Sequence, residues 1–212
     1  MIKIERDTIY KVNDYSYKNY VVLSEEEKML VWQWRNHPEI RKWMTNSEII
    51  PLENHLQFID NLKDRIDAYY WLVFKGDKPI ATLNFTHINY EDNSGMPGLY
   101  LSPDELNTGE GFTFHYYYKE LAYYQLGFES LKGGYVEVGN TRAFVMGSFW
   151  GGAPVSYFEE NGKGFLELRG TKKEYEAIDK THLLKDFTKF ARSCGHIDWE
   201  RIIKETKERN EQ

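Results

Sequence analysis

The stretch of this 212-residue sequence with the clearest capacity for chemistry lies between residues 98 and 126. It reads as a short strand, Gly98-Leu99-Tyr100-Leu101, then a loop holding Gly109 and Gly111, then a long aromatic helix from Phe112 to about Gln125. Glycines let a backbone come close to a ligand. The first amides of a helix have no intrahelical partner, and the helix dipole adds positive potential at that end. The combination suits a pyrophosphate. Two familiar pyrophosphate motifs do not fit. A dinucleotide fingerprint requires a third glycine where Phe114 stands, and a Walker loop requires a Gly-Lys-Ser/Thr that does not follow. By itself a Gly-x-Gly at a helix start is common in turns, so it names a class of ligand and nothing narrower.

Composition bounds what such a loop can serve. The formal charge is −6 and the isoelectric point about 5.6, which argues against an extended nucleic-acid surface but leaves room for a local basic pocket that takes one anion. The single cysteine, Cys194, has no partner for a disulfide and no metal-ligand spacing around it, so no metal is expected. No apolar run reaches the roughly 18 to 20 residues of a membrane span. Met1 to Asp7 carries no apolar signal core. The expectation is a cytoplasmic protein without a nucleic-acid or membrane partner. The sequence also carries 16 Tyr against 12 Phe and 6 Trp, so many rings bear a hydroxyl. They suit a wet cleft or an interface, or more plainly Tyr-rich strands and surface.

The elements that must position these residues follow from pattern. Tyr20 to Leu23 reads as a short strand. Ser24 and Glu27 fit a capping box that opens a helix, which should stop near Asn36-His37-Pro38. A second helix begins at Pro51-Leu52, with Leu52, His55, Leu56, Ile59 and Leu62 at helical spacing. The period then changes. Tyr70–Phe74, Ile80–Asn89 and Gly98–Leu101 read as an antiparallel meander with turns at Gly76–Pro79 and Asn93–Gly95. After the aromatic helix, Gly127 suits a helix-ending glycine. A strand at Tyr135–Val138, a helix from about Thr141 to Gly151-Gly152, and strands at Val155–Phe158 and Gly164–Leu168 complete an α+β order. Tyr175–Phe190 is mixed in pattern, and a polar helix starts near Asp198.

This order resembles the GNAT acetyltransferases over about residues 19 to 169, and within them the nucleotide-linked amino-sugar N-acetyltransferases of the pseudaminic acid pathway. The resemblance rests on Trp34-Arg-Asn-His-Pro38, Trp43-Met44, His55-Leu-Gln-Phe-Ile59 with Leu62-Lys63, Thr86-x-Ile88-Asn89 and Gly98-Leu-Tyr100. It implies an acyl-CoA N-acyltransferase fold, a mixed, mostly antiparallel sheet flanked by helices. Residues 1–18 would be an arm, 19–169 the acetyltransferase domain, and 170–212 an extension packed on the same domain. It implies acetyl-CoA as co-substrate. Strand amides of Leu99 and Leu101 would pair with its pantetheine arm. The loop Asn107, Thr108, Gly109, Glu110 and Gly111 would hold its pyrophosphate, with Asn140 at the start of the next helix. A plain N-cap role suits Asn140 as well.

For the acceptor, the resemblance implies a pocket of Arg35, His37, Met44, His55, Thr86, His87 and Tyr100. An Arg and two His beside a helix end can meet a diphosphate, and Met44 can pack on a base or sugar. A structural reading stands beside each: Arg35 capping a carbonyl, His37 stopping its helix, His55 buried and satisfied on an apolar face. His87 stands where the family often has a stronger base. One position departs. The family's tyrosine that protonates the leaving thiolate would fall at Gly147, and Ser148 is a weak stand-in. The resulting expectation is acetyl transfer to the amine of a nucleotide-linked amino sugar. A protein or aminoglycoside amine, or an inactive GNAT-like binding module, stays open, as does a homodimer.

Overall fold

The computed structural model describes residues 1–210, and the chain divides into two compact units, Met1–Phe128 and the described residues from Glu129 onward. The first unit is built on five strands: β1 (Tyr10–Val12), β2 (Tyr15–Asn19), β3 (Tyr69–Lys75), β4 (Lys78–Asn89) and β5 (Ser94–Leu101). They lie in chain order, each antiparallel to the next. The N-terminal arm is therefore a hairpin, turned at Asn13 with φ 54°. The meander is longer than its apolar runs indicate. Lys78 and Pro79 already belong to β4, since Lys78 pairs with Lys75, and β5 begins at Ser94.

Between β2 and β3 the chain is helical. The strand expected at Tyr20–Leu23 is instead a single 3-10 turn, Tyr20–Val22. The Asn19 side chain accepts the Val21 amide, which diverts the backbone from a ladder. Helix α1 (Glu25–Asn36) carries the expected Ser24–Glu27 capping box. His37-Pro38 ends it and starts the one-turn α2 (Pro38–Arg41). Helix α3 is Leu52–Asn61. Val31 and Trp34 of α1 and Ile59 of α3 bury against Tyr20, Leu23 and Leu72, which fixes both helices over one face of the sheet. Helix α4 (Glu110–Glu120) follows β5 and ends in a π turn, Leu121–Gln125, with Gly127 at φ 83°.

The second unit holds β6 (Ser130–Glu137), α5 (Thr141–Phe149), β7 (Ala153–Glu160) and β8 (Lys163–Thr171), with β8 paired antiparallel to both other strands. The segment of mixed pattern beyond it is helical: α6 (Lys172–Glu176), opened by a Thr171–Glu174 capping box, and α7 (Leu183–Ser193). The polar helix near Asp198 is α8 (Trp199–Asn210). Phe187, Phe190, Trp199 and Ile202 pack on the buried Val136, Phe144, Leu166 and Leu168, so the residues after 170 complete this unit's apolar cluster. Among the described residues no helix is long and apolar enough to cross a membrane.

Candidate active site

A cavity of about 400 Å³ opens in the first unit, between α1, α3 and the face of β3–β5. Each wall follows from a local period. Val31 and Arg35 sit one helical turn apart on α1, and Asn54, His55 and Phe58 share a face of α3. On the sheet, Thr82 and Asn84 are two residues apart on β4 and so face the same way. The register makes two rows across the strands. Tyr70, Asn84 and Gly98 form one; Leu72, Thr82 and Tyr100 form the next.

Arg35 is the cavity's only cationic side chain that stays charged at every working pH. Its Nη2 donates to the Asn46 carbonyl at 2.8 Å, while Nη1 is buried with no partner among the described residues. Burial pulls the guanidinium's pKa down, and no carboxylate faces it from the lining. An unpaired charged donor in such a place is costly unless a ligand completes it. Tyr20 and Tyr100 lie beside it, and Thr82 lines the same wall. Burial raises both phenols, so they stand as neutral hydroxyls.

His55 is 5% exposed, and its Nε2 donates to the Lys28 carbonyl at 3.1 Å. A carbonyl only accepts, so Nε2 carries the proton and Nδ1 of the neutral ring is an acceptor. Burial lowers its pKa, which favours that neutral form.

Of the acceptor residues expected from sequence, Arg35, Met44, His55 and Tyr100 line this cavity together. Three do not. The His37 ring caps α2, its Nδ1 accepting the Glu39 amide at 3.3 Å. Thr86 is buried further along β4, and the exposed His87 sits at φ 49° where the β4–β5 register shifts. Tyr20, Phe58, Tyr70, Thr82 and Asn84 were missed. The last two were legible, because Thr82, Asn84 and Thr86 share one period-2 face. Tyr70 and Phe58 meet edge to face with centroids 5.1 Å apart, a contact that no local pattern announces.

The glycine loop sits at the far end of β5. Gly109 is the N-cap of α4 with φ 90°, a conformation that side chains rarely adopt, and Asn107 is also left-handed at φ 71°. The Glu110 amide is taken by the Thr108 hydroxyl at 3.2 Å. The Glu110 carboxylate accepts from Lys75 Nζ at 2.8 Å and from the Tyr15 hydroxyl. Leu99 lines the cavity, and within the first unit β5 has a single partner strand, β4.

In the second unit, Asn140 caps α5, its Oδ1 accepting the Ala143 amide at 3.2 Å. Gly147 is packed so closely that a Cβ there would sit 2.6 Å from Leu168 Cδ1. The Ser148 hydroxyl is buried without a partner among the described residues.

No protein-family model matches the chain. It is similar to acetyltransferase PseH of Campylobacter jejuni, with 37% identity over 93 residues, 44% of this chain. The chain spans 57% of the length of that curated relative. Among solved structures, it resembles C. jejuni N-acetyltransferase PseH in complex with acetyl coenzyme A, at TM-score 0.57 and 23% identity, covering 74% of this chain and 99% of the other. It also resembles spermidine N-acetyltransferase from Vibrio cholerae in complex with CoA and spermine, at TM-score 0.67 and 14% identity, covering 78% and 99%. The fold is that of the GNAT acetyltransferases, as the order of elements led one to expect.

Proposed function

We propose that this chain is an N-acetyltransferase that moves acetyl from acetyl-CoA to the amine of a nucleotide-linked amino sugar. The observation that carries the acceptor half is the buried Nη1 of Arg35, unpaired among the described residues, in a cavity whose described lining contains no Asp or Glu. A diphosphate supplies the missing acceptor oxygens. A polyamine or an aminoglycoside brings several positive charges and would meet Arg35 with no carboxylate to offset it. Met44, Phe58 and Tyr70 offer apolar and aromatic surface for a sugar or base. The likeness to the N-acetyltransferase PseH in complex with acetyl coenzyme A supports the transfer of acetyl to an amine.

For the donor, the pyrophosphate would rest on the loop Asn107 to Gly111, chiefly on the amides of Asn107, Gly109 and Gly111, since those of Thr108 and Glu110 are already bonded. The pantetheine amides would pair with Leu99 and Leu101 as an added strand. A β5 amide would polarise the thioester carbonyl. The neutral amine attacks the thioester carbon, so a C–N bond forms and the carbonyl electrons move to oxygen. Collapse restores the carbonyl and breaks the C–S bond. The nitrogen sheds one proton and the thiolate gains one. With glycine at 147 in place of the expected phenol, water can supply the thiolate's proton. Positioning of the two reactants then supplies most of the acceleration.

Titration calorimetry with acetyl-CoA tests the donor half, and absence of heat at millimolar ligand defeats it. A thiol-release assay tests the acceptor half. Turnover is expected on a UDP-linked 4-amino sugar and not on spermidine, kanamycin or peptides; the reverse order would overturn the assignment.

A further inference from the structure

Asn84 of β4 faces Gly98 of β5 across the strand pair, and its side chain lies directly over that glycine. A Cβ on Gly98 would sit 2.6 Å from Asn84 Oδ1 and 2.7 Å from Nδ2, a separation that real side chains do not tolerate. Both residues line the cavity next to Leu99 and Tyr100. Asn84 is only half-buried, and its amide has no hydrogen-bond partner among the described residues. The arrangement is therefore a polar side chain with a donor and an acceptor, both uncommitted. The neighbouring glycine is small enough to let it lie across the strand.

We propose that Asn84 positions the acceptor amine for attack, a role that rests on the acetyltransferase reading. In that reading the acyl group lies along β5, in the plane of the sheet. Attack on a carbonyl comes from above its plane, which is the cavity face where Asn84 lies. Oδ1 accepts one N–H of the amine and turns the nitrogen lone pair toward the thioester carbon. Nδ2 donates to a hydroxyl beside that amine. Asn84 neither gains nor loses a proton. Its bond strengthens as the nitrogen becomes positive in the tetrahedral adduct, so the contact favours the transition state over the bound substrate. With no carboxylate in the lining, the side-chain amide takes the place a general base would otherwise hold. Gly98 belongs to the same device: it keeps the space over the strand open for Asn84.

The test is a kinetic cycle of wild type, N84A, G98A and N84A/G98A, with the amino-sugar acceptor that the wild type acetylates and calorimetric affinity for acetyl-CoA measured alongside. N84A is expected to lower kcat roughly 10- to 100-fold, the scale of one hydrogen bond to a group that becomes charged. Affinity for acetyl-CoA should stay within about twofold, since the amide serves the acceptor. G98A should produce the same loss by displacing Asn84, and in the N84A background it should add nothing further. N84D should recover part of the rate, because a carboxylate oxygen also accepts the amine N–H, whereas N84L should not. Wild-type kcat in N84A, or a full G98A penalty in the N84A background, would overturn the inference and leave the acetyltransferase reading standing. A wild type that acetylates no amine removes both together.

Discussion

Lys75 Nζ lies 2.8 Å from Glu110 Oε2, at the residue that opens α4 directly after the left-handed Gly109. The Tyr15 hydroxyl donates to the other carboxylate oxygen, and the Glu110 side chain is only 11% exposed. A carboxylate in the first turn suits the helix dipole, but it stands where the proposed donor would place its pyrophosphate. Lys75 offsets that charge, and the pair raises the lysine's own pKa. K75M should therefore weaken acetyl-CoA binding by about 5- to 10-fold at low salt, less at high salt. K75M/E110Q should bind nearly as the wild type does. Calorimetry at two ionic strengths reads both; a double variant as weak as K75M would show that the lysine acts on the ligand directly.

Arg35 yields a second, separable expectation. Its Nη1 has no partner among the described residues, and its Nη2 is held by the Asn46 carbonyl. R35M keeps much of the apolar stem and removes the charge. It should raise KM for a nucleotide-linked acceptor about 10- to 100-fold, the scale of a lost charge-assisted contact. Affinity for acetyl-CoA should not change. An unchanged KM in steady-state assays would detach Arg35 from acceptor binding and leave it a carbonyl cap.

The protein's stability should fall with acid before its carboxylates titrate. Burial lowers the pKa of His55 and pushes His115 down to about 3, its Nδ1 buried without a partner among the described residues and its ring edge-on to Tyr118. The unfolded chain protonates these rings near 6.5, while the fold keeps them neutral. Stability is therefore full above about pH 6.5 and is lost as pH falls toward the folded values, by at most about 1.4 kcal/mol per pH unit per group. Carboxylates with lowered pKa, such as Glu105 beside Lys78, stabilise above their ordinary range and act only below about pH 4.5. Urea unfolding between pH 6.5 and 5 isolates the histidines. H115F should flatten that slope, and an unchanged slope would remove His115 as a cause.

Much of this was legible because it rests on short-range rules. Ser24 and Glu27 announce α1, Pro38 ends it, and the loop around Gly109 and Gly111 marks the start of α4. Arg35, Met44, His55 and Tyr100 were named from motif alone and share one cavity. What escaped was what only register decides. That Tyr70, Asn84 and Gly98 form a row depends on strand pairing, which no single segment encodes. Tyr20 to Val22 has a strand's composition, but the Asn19 side chain overrides it. The tail past residue 170 looked weak because its apolar residues are spread over α7 and α8 and meet only on the cluster of Phe144 and Leu168.

The glycine at 147 is a packing device, and this sets the last prediction. A Cβ there would sit 2.6 Å from Leu168 Cδ1, and the Gly147 carbonyl accepts the Gly152 amide at 2.9 Å as α5 ends. Leu168 is 7% exposed within the second unit's apolar cluster, so its methyl has little space to retreat. Restoring a phenol by G147Y should therefore not behave as a gain of a catalytic acid. The smaller G147A alone should cost about 1–3 kcal/mol, the usual cost of overpacking. Alanine's better helix propensity offsets up to about 1 kcal/mol of a larger steric cost. G147A/L168A should recover part of the G147A loss by removing the opposing methyl, while L168A alone destabilises by opening a void. Denaturant titrations of the four proteins give the coupling. If G147A is neutral or stabilising, the close approach of α5 to β8 is not what excludes a side chain at 147, and G147Y becomes a fair test of thiolate protonation.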